Sequence, residues 1–327
     1  MEIREADESD IPSIVDLLKS SLGEGLMPKS ERYWRWKHLD NPFGRSPVLL
    51  CWEDGKLIGV RAFMRWEWKS NSKVYRALRA VDTATHPEYQ GKGIFKKLTL
   101  SLVDNCGKNG DHFIFNTPNQ QSRPGYLKMG WVEAGRLPIT VSPTKPFSMF
   151  YNYLLHKPKK DNQDPAFGNI LEHTGLESLL NQHCQQAKTI ITSVSPDYLK
   201  WRYLTVPVAS YVAMGDEQGK KLTSLIIGRI KQTRFGKELR ITDCFFSTDI
   251  DEERMRSKFQ KWRESMEVDY VTLSGTLGRN TLKLFSILNF KASVGPTVTI
   301  RSLQLTNLDS FSNFKDWTPS IGDLELF

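Results

Sequence analysis

Cysteine is scarce in this chain of 327 residues. The four present, Cys51, Cys106, Cys184 and Cys244, are scattered, with no Cys-x-x-Cys pair. That spacing excludes a disulfide framework and a cysteine zinc site, and it suits reduced thiols in the cytoplasm. The six histidines show no metal-ligand spacing either, so no metal is expected. No run of about 18 apolar residues occurs, which excludes a membrane-spanning helix from the expectation. The first residues, Met1-Glu2-Ile3-Arg4-Glu5-Ala6-Asp7, are acidic and mixed, unlike a signal peptide. A basic block with interleaved aromatics is also missing, which weighs against nucleic acid. The net charge of +8 therefore reads better as attraction for a polyanionic cofactor or a nucleotide-linked substrate. What remains is ordinary: 39% hydrophobic and 25% charged residues, in a chain long enough for two globular domains.

The richest stretch runs from Ala80 to Leu98. Leu78 to Thr85 is short and rich in β-branched residues, as a strand is. His86-Pro87 ends it, because proline cannot donate to a ladder and restricts its predecessor. Gln90-Gly91-Lys92-Gly93 then opens an apolar-periodic run of Ile94, Phe95, Leu98, Leu100 and Leu102, a helix. Free amide groups in a first helical turn, beside the positive end of the helix dipole, make an anion site suited to phosphate. Lys92, Lys96 and Lys97 add positive charge around it.

The pattern Gln-x-x-Gly-x after a strand and His-Pro-Glu-Tyr closely resembles motif A of the GNAT superfamily of acyl-CoA N-acyltransferases. A second stretch agrees. His112 to Asn116 reads as a strand, Thr117 to Ser122 follows, and a helix carrying Tyr126 closes on Gly130-Trp131. This is similar to motif B of the same superfamily. The resemblance implies acetyl-CoA as co-substrate, with its pyrophosphate cradled by Gln90, Gly91, Lys92, Gly93, Ile94 and Phe95. It implies that pantetheine pairs with the backbone of Thr83, Ala84 and Thr85, that Asn116 faces the cofactor, and that Tyr126 is the general acid for the departing thiolate. Phe95 departs from the pattern, which usually has Gly or Ala there.

In chain order, Met1 to Ile3 reads as a first strand. Asp7 to Asp10 supplies caps for a helix with Ile11, Ile14, Val15, Leu17 and Leu18. Glu31 to Leu39 is aromatic, either core or the wall of an acceptor pocket. Val48 to Phe63 reads as a hairpin about Asp54-Gly55. Val132 to Val141 is expected to supply the last strands of the first unit. Lys157 to Pro165 is polar and bracketed by proline, a linker.

The second half repeats the first. Tyr33-x-x-Trp36-Lys37-x-Leu39-x-x-Pro42 returns as Tyr198-x-x-Trp201-Arg202-x-Leu204-x-x-Pro207. Hairpin-like pairs follow both copies, and Arg240 to Phe245 stands where the first half has Arg79 to Ala84. The second copy has no Gly-x-Gly, only Ser247 to Glu253 with four carboxylates, and Phe285 takes the place of Tyr126. The expected fold is α+β or α/β with two GNAT-like domains, each a mixed sheet flanked by helices. Residues 1–145 form the catalytic domain, 146–166 a linking segment and 167–327 a degenerate copy.

For the chemistry, the first reading is transfer of an acetyl group to a primary amine of a small molecule or amino sugar, by direct attack in a ternary complex. Its alternatives are a non-catalytic acyl-CoA-binding or regulatory module, and a tandem GNAT-like aminoacyl or long-chain acyl transferase. A general base is the least defined part. Asp82 is one candidate, provided that burial raises its pKa. Pairing with Arg79 or Arg61, and deprotonation through a water chain, are the other options. The acceptor and the oligomeric state are not legible.

Overall fold

The architecture comes from a computed structural model, which describes residues 1–23, 27–70, 73–155, 167–274, 290–292, 295–306 and 309–324. The linker expected at Lys157 to Pro165 and the position of Phe285 lie outside the described residues. The first half runs β1 (Glu2–Glu5), α1 (Ile11–Leu22), α2 (Glu31–His38), β2 (Val48–Glu53), β3 (Lys56–Ser70), β4 (Lys73–Thr85), α3 (Ile94–Lys108), β5 (Phe113–Asn116), α4 (Arg123–Lys128), β6 (Val132–Arg136), β7 (Ile139–Pro143) and α5 (Pro146–Leu155). The second runs α6 (Leu176–Gln186), β8 (Ile191–Thr192), α7 (Pro196–Leu199), β9 (Val212–Gln218), β10 (Lys221–Thr233), β11 (Gly236–Phe246), α8 (Glu252–Ser265), β12 (Tyr270–Ser274), β13 (Phe290–Ala292) and β14 (Thr297–Ser302).

Local chemistry explains the early elements. Asp7 accepts from the Ser9 amide and Asp10 reaches back to the Asp7 amide, a reciprocal cap that starts the turn into α1. The apolar stripe of α1 is buried. Asp54 and Gly55 join β2 to β3 with φ of 50° and 76°, the positive pair that a two-residue hairpin turn requires.

Two mixed sheets result, with helices between strands. The first has the order β1-β2-β3-β4-β5-β14-β6, with β8 paired to β3; the second has β13-β7-β12-β11-β10-β9. Both contain the same run of pairings. β2-β3-β4 is antiparallel throughout and β4 then pairs β5 in parallel. Likewise β9-β10-β11 is antiparallel and β11 pairs β12 in parallel.

One expectation is corrected. Val132 to Val141 does not stay together in the first sheet. β6 does, but β7 crosses to the second sheet, between β13 and β12, and β14 returns from the far end of the chain to lie between β5 and β6. The connection Leu137-Pro138 accounts for the crossing. A two-residue hairpin needs positive φ, whereas proline fixes φ near about −65° and keeps its predecessor extended.

The halves meet at the repeated tryptophans. Trp36 Nε1 donates to the Trp201 carbonyl and Trp201 Nε1 donates to the Trp36 carbonyl, each at 2.8 Å. Their rings stack 4.7 Å apart at 11°. A single apolar cluster runs through this contact, joining Trp66, Phe113 and Phe115 of the first sheet to Leu225, Ile227 and Phe245 of the second.

Candidate active site

The site is built where β4 leaves its neighbour. β4 pairs with β5 only over Ala77, Leu78 and Arg79. Beyond Arg79 its other edge stays on β3 as far as Thr85. Between Arg79 and Thr85 the two parallel strands fork, and the β5-facing edge of β4 has no ladder partner among the described strands. The register against β3 slips at Asp82, so that Thr83 faces Arg61 and Val81 faces Ala62. Asp82 is the extra residue of this bulge, with φ of 37°.

The bulge decides what Asp82 does. It turns the carboxylate toward α2, where Oδ2 accepts from Lys37 Nζ at 2.7 Å and meets His38 Nε2 at 2.9 Å. Lys37 and His38 are buried and Asp82 is nearly so, its side chain 13% exposed. Burial alone would raise the Asp82 pKa, but the Lys37 charge and the two hydrogen bonds overcome it and hold the carboxyl far below its usual range. Burial opposes the Lys37 charge, yet Asp82 raises its pKa. Burial lowers the pKa of His38, which also contacts Ser46 Oγ at 2.8 Å. A carboxylate pinned in this way is a very weak proton acceptor, so the geometry argues against Asp82 as the general base. Its partners are neither Arg79 nor Arg61. Arg79 donates to the Asp323 and Leu324 carbonyls and to Thr117 Oγ1. Arg61 lies buried over the rings of Phe63, Phe95 and Tyr126.

Beyond Thr85 the chain makes a short turn over Pro87–Tyr89, then passes Gly91 and Gly93, both at φ of 77°. A Cβ at either glycine would meet nothing within 4 Å, so the requirement is the left-handed backbone rather than room. Gly93 is the N-cap of α3 and offers no side-chain cap. The first-turn amides are left for an external acceptor, at the positive end of a 15-residue helix. Gln90, Gly91, Lys92 and Gly93 are exposed, and Lys92 Nζ lies 4.4 Å from the Tyr89 ring centroid.

The remaining expected residues divide. Ile94 points inward, against Gly59, and Ala84 packs toward α1, so each offers only backbone to a ligand. Thr83 Oγ1 donates to the Val60 carbonyl at 3.4 Å, and the Thr85 carbonyl accepts from Ser21 Oγ. Asn116, at the end of β5, accepts from Thr299 Oγ1 of β14. Tyr126 and Phe95 are brought together, ring centroids 5.8 Å apart at 90°, and Trp131 lies 5.1 Å from Tyr126 on the other side. Tyr126 therefore lies on the face of the sheet that α3 covers, packed with Ile94 and Leu98. Sequence reading missed Lys37 and His38, weighing only the aromatic residues of their segment, as core or as the wall of an acceptor pocket. The signal available was the repeat itself, which sets Lys37 against Arg202.

Comparison with known proteins agrees with this geometry. Residues 2–134 match the model of the GNAT acetyltransferase domain. The L-amino acid N-acyltransferase MnaT of Escherichia coli strain K12 is 30% identical over 95 residues, 28% of this chain and 54% of the relative, so the chain spans about half the length of this curated protein. Among solved structures, a GCN5-related N-acetyltransferase from Anabaena variabilis ATCC 29413 superposes with a TM-score of 0.67 at 16% identity, over 94% of this chain and 74% of that one. A probable N-acyltransferase from Enterococcus faecalis V583 gives 0.66 at 12% identity, over 94% and 74%. A third, a GCN5-related N-acetyltransferase from Kribbella flavida, gives 0.61 at 10% over 93% and 71%. These three share the fold with nearly the whole chain. The forked strand and the glycine-capped helix both lie within residues 2–134, the part of the chain that is similar to the GNAT acetyltransferase domain.

Proposed function

We propose that the chain is an acyl-CoA-dependent N-acyltransferase that moves an acetyl group from acetyl-CoA to a primary amine of a small molecule, by direct attack in a ternary complex. The observation that carries this is the fork of β4 from β5, which leads straight into an α3 N-terminus with no side-chain cap. The residues present fit such a donor: the open edge of β4 matches an amide-bearing arm, and the α3 amides with Lys92 match a pyrophosphate. The donor supplies an activated thioester carbonyl. In the overall reaction a nitrogen–carbon bond forms, the carbon–sulfur bond breaks, one amine proton goes to solvent, and CoA leaves as a thiol.

In this reading the backbone of Thr83 to Thr85 holds the arm and presents an N–H donor to the carbonyl oxygen. Tyr126 gives its phenolic proton to the departing sulfur. Asp82, Lys37 and His38 fix the bulge and so the strand edge beside it; the amine loses its proton to water rather than to Asp82. The second half, in this proposal a degenerate GNAT unit, walls the acceptor side. Calorimetry with CoA, followed by acetyl-CoA turnover on a panel of amines, tests the reading. One CoA per chain and acetylated product are expected. A chain that binds no CoA would overturn it, and one that binds CoA without turnover on any amine would leave only the binding module.

A further inference from the structure

Beside the end of β5, the molecule forms a half-open cavity of about 810 Å³. Thr117, the residue after β5, lines its near end, and the facing strands of the second sheet line the rest. This volume suits a ligand of drug size. The inference drawn from it rests on the acyl-transfer reading for the amine's destination, but the cavity's own chemistry decides the class of ligand.

That chemistry is apolar. Met149, Phe235, Ile321 and Leu324 contribute hydrocarbon and ring surface. β7 is the most telling wall. Its apolar Ile139 and Val141 line the cavity and are only half-buried, whereas its polar Thr140 and Ser142 are fully buried on the opposite face. A strand packed only for its own core would show the reverse. Of the charged groups in the wall, Arg240 Nε donates to Glu238 Oε1 at 3.0 Å, to which Thr272 Oγ1 also donates, and the Arg234 guanidinium lies over the rings of Tyr153 and Phe235. Among the described residues, no buried side-chain nitrogen or oxygen lining the cavity lacks a partner. A polyhydroxylated amine would therefore lose its water shell here with few hydrogen bonds to replace it. The rim continues the pattern. α5, which contributes Met149, exposes Phe147, Phe150 and Tyr151, with Phe147 at 90%. Tyr153 of α5 stacks on the cavity residue Phe235 at 5.4 Å.

We propose that the cavity is the acceptor site, and that the acceptor is an amine with a large apolar body, an alkyl chain or ring system. The apolar body occupies the space between β7, β12 and α5. The amine lies at the Thr117 end, next to the fork.

The test uses the full chain and linear alkylamines from butylamine to dodecylamine, below their micelle concentrations, with glucosamine as the hydrophilic comparison. Binding is read by displacement of the fluorophore N-phenyl-1-naphthylamine, which needs no acyl donor. Affinity is expected to tighten about fourfold per added methylene until the cavity is filled. Val141→Trp, which fills the cavity, is expected to weaken dodecylamine at least about tenfold and leave CoA calorimetry unchanged. Ile139→Phe makes the same test if the first variant does not fold. A flat chain-length series, glucosamine bound as tightly as dodecylamine, or a folded wall variant with unchanged dodecylamine affinity would each overturn the proposal. A failure to bind CoA would instead remove the transferase reading and leave the amine series to decide the cavity.

Discussion

The two sheets run through the same pairings and reach the same fork, and then treat an incoming anion in opposite ways. After β4, α3 begins at Gly93 with no side-chain cap and no acid in its first turn. After β11, α8 begins at Asp251, whose carboxylate accepts from the Arg254 amide, with Glu252 and Glu253 in the first turn. The second helix carries its own anions where the first leaves its amides for a foreign one. The strands before them differ in a parallel way. Both hold a bulge, at Asp82 in β4 and at Thr242 in β11. Asp82 is ionised against Lys37, whereas burial and the nearby Asp323 push the Asp243 carboxyl up, to about 7, despite the bond it accepts from Tyr203. One fold thus makes an anion-receptive site or a closed structural unit, according to a few residues at one helix start.

The largest effect separating the halves is expected at those helix starts. Gly93→Glu puts a side chain at a left-handed position and a carboxylate among the amides, and should abolish CoA binding. Asp251→Ala should leave CoA binding untouched and cost only about 1 kcal/mol of stability as a lost cap. Calorimetry and thermal melts on both variants decide it. CoA affinity that fell equally in both would erase the distinction.

Next is the buried ion pair. Lys37→Met strands the Asp82 carboxylate with only His38 and should destabilise the chain by about 3–5 kcal/mol near pH 7. Because the Asp82 pKa is lowered in the folded state, its contribution is present above the ordinary carboxylate range near ~3.9 and is lost as pH falls toward the folded value. Asp243 works in the other direction. Its pKa is raised, so its contribution is present in acid and is lost as pH rises toward about 7. Denaturant unfolding from pH 3 to pH 8 should therefore show Asp82→Asn most harmful at the high end. Asp243→Asn should lose least, or gain, there. Parallel profiles for the two variants would contradict the assigned pairings.

A smaller effect is expected at Tyr126. Tyr126→Phe keeps the ring contacts with Phe95 and Trp131 and removes the phenol. If Tyr126 protonates the leaving thiol, kcat should fall about 10²-fold with acetyl-CoA affinity and melting temperature little changed. Wild-type kcat in the variant would return Tyr126 to packing alone.

The smallest effect sharpens the symmetry. Trp36→Phe and Trp201→Phe each remove one buried indole hydrogen bond to a carbonyl of the other half, at about 1–3 kcal/mol. The two costs should be similar, with Trp36→Phe the milder because the Trp201 carbonyl keeps Thr205 Oγ1, and the double variant should be non-additive because the rings stack on each other. Strongly unequal costs would show that the two halves do not meet as equivalents.

Much of this molecule was written in local chemistry. The Asp7 cap, the Asp54-Gly55 turn and the strand–glycine–helix run from Leu78 to Leu102 follow from neighbours within a few residues, and so they are legible in the sequence. The repeat of Tyr33-x-x-Trp36 at Tyr198-x-x-Trp201 was legible too, but not that the two tryptophans bond to each other. Three features needed the fold. The exchange of β7 and β14 between sheets joins residues more than 120 apart in the chain, Asn116 and Thr299 for one, and no local pattern names such a partner. Asp82 reads as an ordinary strand residue until one extra residue in β4 swings its carboxylate onto α2, where the charge of Lys37 outweighs desolvation. The cavity has no sequence signature, since its walls come from β7, β12, α5 and the C-terminal residues Ile321 and Leu324. Sequence settles what depends on contacts along the chain. Charge partners, strand exchange and the cavity depend on contacts across it, and only the tertiary structure decided them.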